Sequence, residues 1–235
     1  RELDDAVRKS FSDISNFPRL IQFPWIGPAN IVYKASASTP WESHFEKDLE
    51  LSAPGAAAVF TRSDTGRPFL IASPEKGADI AEKERMLREV LQAAEELGID
   101  GPKTALLDFT EQYETFMDTP SIAESRELVK RFAAGDAVVE GPMAFDLAAS
   151  RRAAEIKKFK SRVSGEADIL FMPDFTAGVL LAEVYRNWSY LNLPWKAADI
   201  SFGGPVPILV PSRSDTPEHK LRSVIAAAFI SLHIN

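Results

Sequence analysis

From about residue 100 onward, short apolar runs alternate with amphipathic ones, and this order constrains the fold more than any other feature of the chain. Lys103 to Phe109 reads as a strand centred on Ala105-Leu106-Leu107. Ser121, with Glu124 three residues on, reads as a capping box opening a helix through Leu128, Val129 and Phe132 to Gly135. Ala137-Val138-Val139 is the next strand, and Leu147 to Phe159 the next amphipathic run. Further strands are expected over Asp168 to Pro173, Ala197 to Phe202 and Val206 to Val210. Helices are expected from Val179 to Trp188 and from about Pro217 to Leu232, the latter with Leu221, Val224, Ile225, Ala228, Phe229 and Leu232 on one face. Such alternation predicts an α/β fold with a largely parallel sheet and helices on both faces.

Upstream, Ala57 to Phe60 and Pro68 to Ala72 read as the strands of a hairpin around Ser63-Asp64-Thr65-Gly66. Ile80 to Leu97 is the clearest helix, with Leu87, Val90, Leu91, Ala94 and Leu97 at helical spacing and Gly98 as its C-terminal stop. Residues 1–45 carry a short amphipathic helix over Asp4 to Ile14 and a short strand at Ile31-Val32-Tyr33. Pro18, Pro24, Pro28 and Pro40 interrupt anything longer.

Composition narrows the function classes. A formal net charge of −7 argues against an electrostatic nucleic-acid binder. With no cysteine there is no disulfide, thiolate metal site or Cys nucleophile. His44, His219 and His233 lie far apart without metal-ligand spacing. No apolar run approaches the roughly 20 residues of a membrane span. The chain begins at Arg1, so a removed leader and missing preceding residues are both open readings.

Candidate chemistry gathers at the expected strand ends, where open α/β sheets bind ligands. Gly141-Pro142, between a strand and a helical run, reads as a stiff corner. Pro173 to Gly178 has the same placement, and there Asp174 either orients a ligand or caps the turn. Gly203-Gly204-Pro205 admits close backbone approach. The strongest candidate is Pro211 to Pro217. Asp215 or Thr216 is a natural N-cap, Ser212 and Ser214 add hydroxyls, and Arg213 adds a planar fork that fits phosphate or carboxylate. An ordinary capped turn with Arg213 in a surface ion pair explains the same residues. His219 lies one turn into the last helix, where it either faces the same cleft or is simply an exposed helix residue. No GxGxxG, Walker or GxSxG sequence is present.

Four segments in order, Val139 to Asp146, Ala167 to Asp174, Ala177-Gly178 and Val206 to Asp215, carry a resemblance to the phosphate acetyltransferase and phosphate butyryltransferase family. The likeness to the butyryltransferase branch is the stronger, and it extends with fewer identities back to about Pro54. The resemblance implies a two-lobed, three-layer α/β/α fold like that of isocitrate and isopropylmalate dehydrogenases, with the first lobe incomplete here. Residues 1–53 would be a divergent part of the first lobe and 54–202 the second lobe. Residues 203–235 would be a strand and helix returning to the first. The implied activity is reversible transfer of a short-chain acyl group between coenzyme A and inorganic phosphate. The coenzyme A thioester is a substrate, with no permanently bound cofactor and no metal. The implied setting is a cytoplasmic homodimer that binds neither nucleic acid nor membrane.

Ser212, Arg213 and His219 are the expected catalytic residues, the first two by the same resemblance and His219 from its place six positions after Arg213, where the chain departs from the family. Arg213 would bind phosphate or acyl phosphate, Ser212 would contact the reacting thiol or phosphate, and neutral His219 would act as a base. Gly141, Pro142, Asp174, Gly178, Gly204 and Ser214 are the expected substrate-binding residues. The chain departs from the family pattern at Val179, where members carry Asn after the Ala-Gly pair, and at His219, where acetyltransferases carry an acidic residue. A non-catalytic relative serving as a binding or interaction module is the alternative. An oxidoreductase of the same broad fold is the weaker third reading, since its dinucleotide and metal-carboxylate patterns are missing.

Overall fold

A computed structural model describes residues 19–21, 31–33, 55–61, 67–110, 119–190, 198–202, 208–209 and 217–231. In chain order the strands are β1 (Arg19–Ile21), β2 (Ile31–Tyr33), β3 (Gly55–Thr61), β4 (Pro68–Pro74), β5 (Lys103–Leu107), β6 (Val138–Met143), β7 (Ile169–Phe171), β8 (Ala198–Phe202) and β9 (Ile208–Leu209). The helices are α1 (Ile80–Glu96), α2 (Pro120–Phe132), α3 (Phe145–Ala149), α4 (Arg151–Ile156), α5 (Phe175–Tyr190) and α6 (Pro217–Ser231). The chain divides into two compact units, Pro54–Lys196 and a second made of Arg1–Ala53 with Ala197–Asn235. Strand β8 groups with the latter. The helix expected over Asp4 to Ile14 lies outside the described residues.

In the unit Pro54–Lys196 the strand order is β3-β4-β7-β5-β6. The pairs β4–β7, β7–β5 and β5–β6 are parallel, and β3–β4 is the antiparallel hairpin that its turn residues predict. The connections through α1 and α2 advance across the sheet, and the one through α3 and α4 returns. Right-handed crossovers therefore put the two pairs on opposite faces. Packing agrees. The side-chain site of Gly55 on β3 faces Met86 of α1, whereas Ser73 on β4 faces Gly178 of α5. On that second face Phe60 and Phe69 are cross-strand partners with stacked rings 5.4 Å apart. Tyr185 of α5 lies 5.5 Å and 5.6 Å from them and 6.4 Å from Phe145 of α3. Such pairs contribute about 0.5–1.5 kcal/mol each beyond area burial. Because both faces are covered, β4 is buried along most of its length and reads as a continuous apolar run.

Helix α1 buries Met86, Leu87, Val90, Leu91, Ala93 and Ala94, the stripe its spacing predicts. Its start is a capping box. Asp79 Oδ1 accepts from the Ala81 and Glu82 amides at 2.8 Å and 2.9 Å, and Glu82 accepts from the Asp79 amide at 2.8 Å. The box expected at Ser121 and Glu124 does not form. Thr119 is the N-cap of α2, Pro120 takes the first helical position, and the Glu124 carboxylate turns to a lysine of α1. On the outer surface Arg88 and then Arg131, both hydrogen-bonded to Glu84, hold the Glu84 carboxyl below the usual glutamate range. The lowered value means that its stabilising contribution is present at neutral pH and lost as pH falls through the folded-state pKa. A side-chain NMR titration is expected to place the Glu84 midpoint below that of free glutamate, and Arg88→Ala to move it back upward.

Two further expectations are corrected. Gly141 and Pro142 are not a corner but part of β6, and the turn comes at Ala144. Between Ala105↔Glu140 and Leu107↔Met143 the register slips by one residue, so the Gly141-Pro142 step is a bulge. Strand β6 is the last in the order, which suits a residue that lacks an N–H. The run Leu147 to Phe159 is two helices rather than one. Ser150 breaks it in an extended conformation and accepts from the Ala153 amide at 3.2 Å to start α4.

In the other unit β1 pairs antiparallel with β2, β2 parallel with β9, and β9 antiparallel with β8. Helix α6 packs on β2, β8 and β9. Among its described side chains Ser223, Val224, Ala227 and Ile230 are buried and Leu221 and Ile225 half-buried, while the expected Ala228, Phe229 and Leu232 side chains lie outside the described residues.

Candidate functional site

Parallel strands that end together bring the loops after them together. In the unit Pro54–Lys196 the ends of β5, β6 and β7 surround an open cavity of about 780 Å³. Leu107, Asp108 and Phe109 come from the end of β5, Phe145 from the start of α3, and Met172, Pro173 and Asp174 from the end of β7. Lys83 of α1 and Ser121 of α2 close one side, and Ala177, Leu180, Leu181 and Val184 of α5 form the wall. Phe109, Phe145, Leu180 and Val184 are between 40% and 63% exposed, which is unusual for large apolar side chains and makes the mouth an apolar patch.

The polar end is acidic and ordered. Asp108 donates its amide to the Met143 carbonyl at 3.0 Å, extending the β5–β6 ladder. Its Oδ1 accepts from the Phe109 amide at 2.8 Å, and its buried Oδ2 has no hydrogen-bond partner among the described residues. Asp174 accepts from the Ala177 amide through Oδ1 at 2.9 Å and from the Gly178 amide through its carbonyl at 3.2 Å, so it caps α5. Helix α5 therefore begins at Phe175 rather than near Val179. The Lys83 ammonium donates to Glu124 Oε2 at 2.6 Å and to the Pro173 carbonyl at 3.0 Å. Among the described lining residues Asp108 and Asp174 stand with one lysine that is already paired, so this end offers acceptors to an N–H or O–H donor rather than a free cation to a phosphate.

Of the expected site residues, Asp174 lines this cavity. Gly141 and Pro142 are buried in β6, and Gly178 is buried in the first turn of α5 against Ser73. At both glycines an added side chain would meet a neighbour, Leu106 at Gly141 and Ser73 at Gly178. Ser212, Arg213, Ser214 and Gly204 lie outside the described residues, and His219 is in the first turn of α6 with its side chain outside them. Sequence reasoning missed Lys83 and Asp108. No local signal marks the first, since its partners stand 41 and 90 positions away, but Asp108 directly follows a readable strand. No group of His, Asp or Glu among the described residues could hold a metal ion. No helix among them is long and apolar enough to cross a membrane.

Comparison with known proteins decides the family. The family described as phosphate acetyl/butaryl transferase matches residues 74–228. The chain belongs to this family. A phosphate acetyltransferase of Thermotoga maritima is 32% identical over 176 residues, covering 73% of this chain and 58% of its own length. A probable phosphate butyryltransferase of Bacillus subtilis is 34% identical over 175 residues, covering 72% and 56%. The chain thus spans less than three fifths of these relatives, and the two branches of the family match it alike. The crystal structure of a branched-chain phosphotransacylase from Enterococcus faecalis superposes with a TM-score of 0.72 at 26% identity, over 87% of this chain and 74% of that one. A β-decarboxylating dehydrogenase from Thermococcus kodakarensis shares the fold alone, with a TM-score of 0.51 at 11% identity over 98% and 77%. The expected likeness to dehydrogenases of the isocitrate and isopropylmalate type is thereby met.

Proposed function

We propose that this member of the phosphate acetyl/butyryl transferase family transfers a short acyl group reversibly between coenzyme A and inorganic phosphate. The family match over residues 74–228 carries the reading. A phosphate oxygen attacks the thioester carbonyl, the carbon–sulfur bond breaks, the thiolate takes up a proton, and acyl phosphate leaves. No covalent enzyme intermediate is needed, because alignment and stabilisation of the developing oxyanion supply the rate.

In this reading Arg213 binds phosphate, Ser212 contacts the reacting sulfur or phosphate, and Ser214 and Gly204 border the same site. Neutral His219 acts as base. In the unit Pro54–Lys196 the cavity offers its apolar wall, Leu180 and Val184 included, to an acyl chain. Asp174 orients the substrate at the rim. Gly141, Pro142 and Gly178 act by shaping the strand and helix behind it. The two compact units correspond to the two lobes, and the protein works in the cytoplasm as a homodimer.

The test is release of free thiol from acetyl-, butyryl- and isobutyryl-coenzyme A, with and without phosphate, with acyl phosphate trapped by hydroxylamine. Phosphate-dependent release is expected, fastest with one of the three chains. No release from any of them would make the chain a binding module of the family.

A further inference from the structure

Lys83 stands where three elements meet. It projects from the first turns of α1, bonds Glu124 of α2 at 2.6 Å, and bonds the carbonyl of Pro173 between β7 and α5 at 3.0 Å. Its side chain is only 12% exposed, against 35% for Glu124. An exposed lysine–glutamate pair contributes little and shifts freely. A largely buried ammonium with two fixed acceptors does not, since losing either leaves a donor unpaired. The second acceptor is the carbonyl of the residue before Asp174. Asp174 in turn holds the first turn of α5 through the amides of Ala177 and Gly178. Gly178 rests on Ser73 of β4, so that turn is pinned from behind as well.

We infer that Lys83 is a positioning residue for the Pro173–Asp174 edge of the cavity. It fixes this edge against α1 and α2, and with it the start of the helix that carries Leu180 and Val184 into the wall. Its consequence for turnover rests on the acyl-transfer reading, but the positioning itself does not. Glu124 holds the ammonium in place, and the Pro173 carbonyl receives it.

The test compares wild type with the double variant Lys83→Met/Glu124→Leu, which removes both charges and so leaves neither one orphaned, a change that buried pairs tolerate. Two readouts are taken at matched thermal stability, amide hydrogen exchange at Ala177 and Gly178 and kcat/KM for butyryl-coenzyme A. Exchange about tenfold faster at these amides, with kcat/KM about tenfold lower, is the expected result, the scale of one lost charge-assisted hydrogen bond. The single variant Glu124→Gln, which keeps an acceptor for Lys83, is expected to retain both wild-type values within about threefold. Unchanged exchange in the double variant would overturn the inference, and faster exchange with unaltered turnover in an active wild type would overturn its consequence for turnover. Absence of turnover in the wild type would remove the acyl-transfer reading and leave exchange to decide the role of Lys83.

Discussion

Gly141→Ala is expected to destabilise the protein by about 3 kcal/mol, near the upper end for overpacking. A methyl group at this position would lie 2.6 Å from Leu106 Cβ and 2.7 Å from the Leu106 carbonyl oxygen. Neither atom belongs to a movable side-chain end. Both persist whatever residue but glycine stands at 106, so Leu106→Ala cannot relieve the contact. The only relief is to part β5 from β6 at the bulge, which also pulls on Asp108, whose amide bonds the Met143 carbonyl. Thermal unfolding should fall by roughly 6–12 °C for a chain of this size. A melting temperature within two degrees of wild type, to take a rough margin on the same scale, would contradict the close approach. The substitution disturbs the cavity through its scaffold, so residual activity should be lost in step with stability.

Arg213→Ala is expected to act the other way, on turnover and not on stability. If Arg213 binds the phosphate that attacks the thioester, its loss should lower phosphate-dependent thiol release on the order of 10²–10³-fold, the scale of losing one oriented donor to the developing charge. Arg213→Lys should recover only part of this, because an ammonium does not reproduce the planar fork. With the loop position that the sequence predicts for Arg213, unfolding should remain within about 0.5 kcal/mol of wild type. Wild-type turnover in Arg213→Ala would remove this residue from the proposed site.

Local order was largely legible. The hairpin of β3 and β4, the buried stripe of α1 and the strands β5 and β7 follow from period and punctuation alone, because each depends on neighbours a few residues away. Errors fell where two local signals competed. Ser121 with Glu124 has the spacing of a capping box, yet Thr119-Pro120 supplies the start of α2, and the box sits instead at Asp79 and Glu82, which carry the same spacing. Gly141-Pro142 has turn chemistry, yet an edge strand next to a close neighbour uses the same two residues for a bulge. The run after it has helical period, but Ser150 caps a second helix in place of continuing the first.

The sequence by itself determined the alternation of elements, the α/β class and the family, because these rest on short-range patterns and on motifs that survive in order. Only the tertiary structure decided what meets at the cavity. The strand order β4-β7-β5-β6 is not the chain order, so residues far apart in the chain converge where the strands end. Lys83 finds Glu124 and Pro173 there, and Asp108 finds the apolar wall of α5. Such meetings depend on which strand inserts between which others, a choice made by the energy of the whole sheet rather than by any one stretch of sequence.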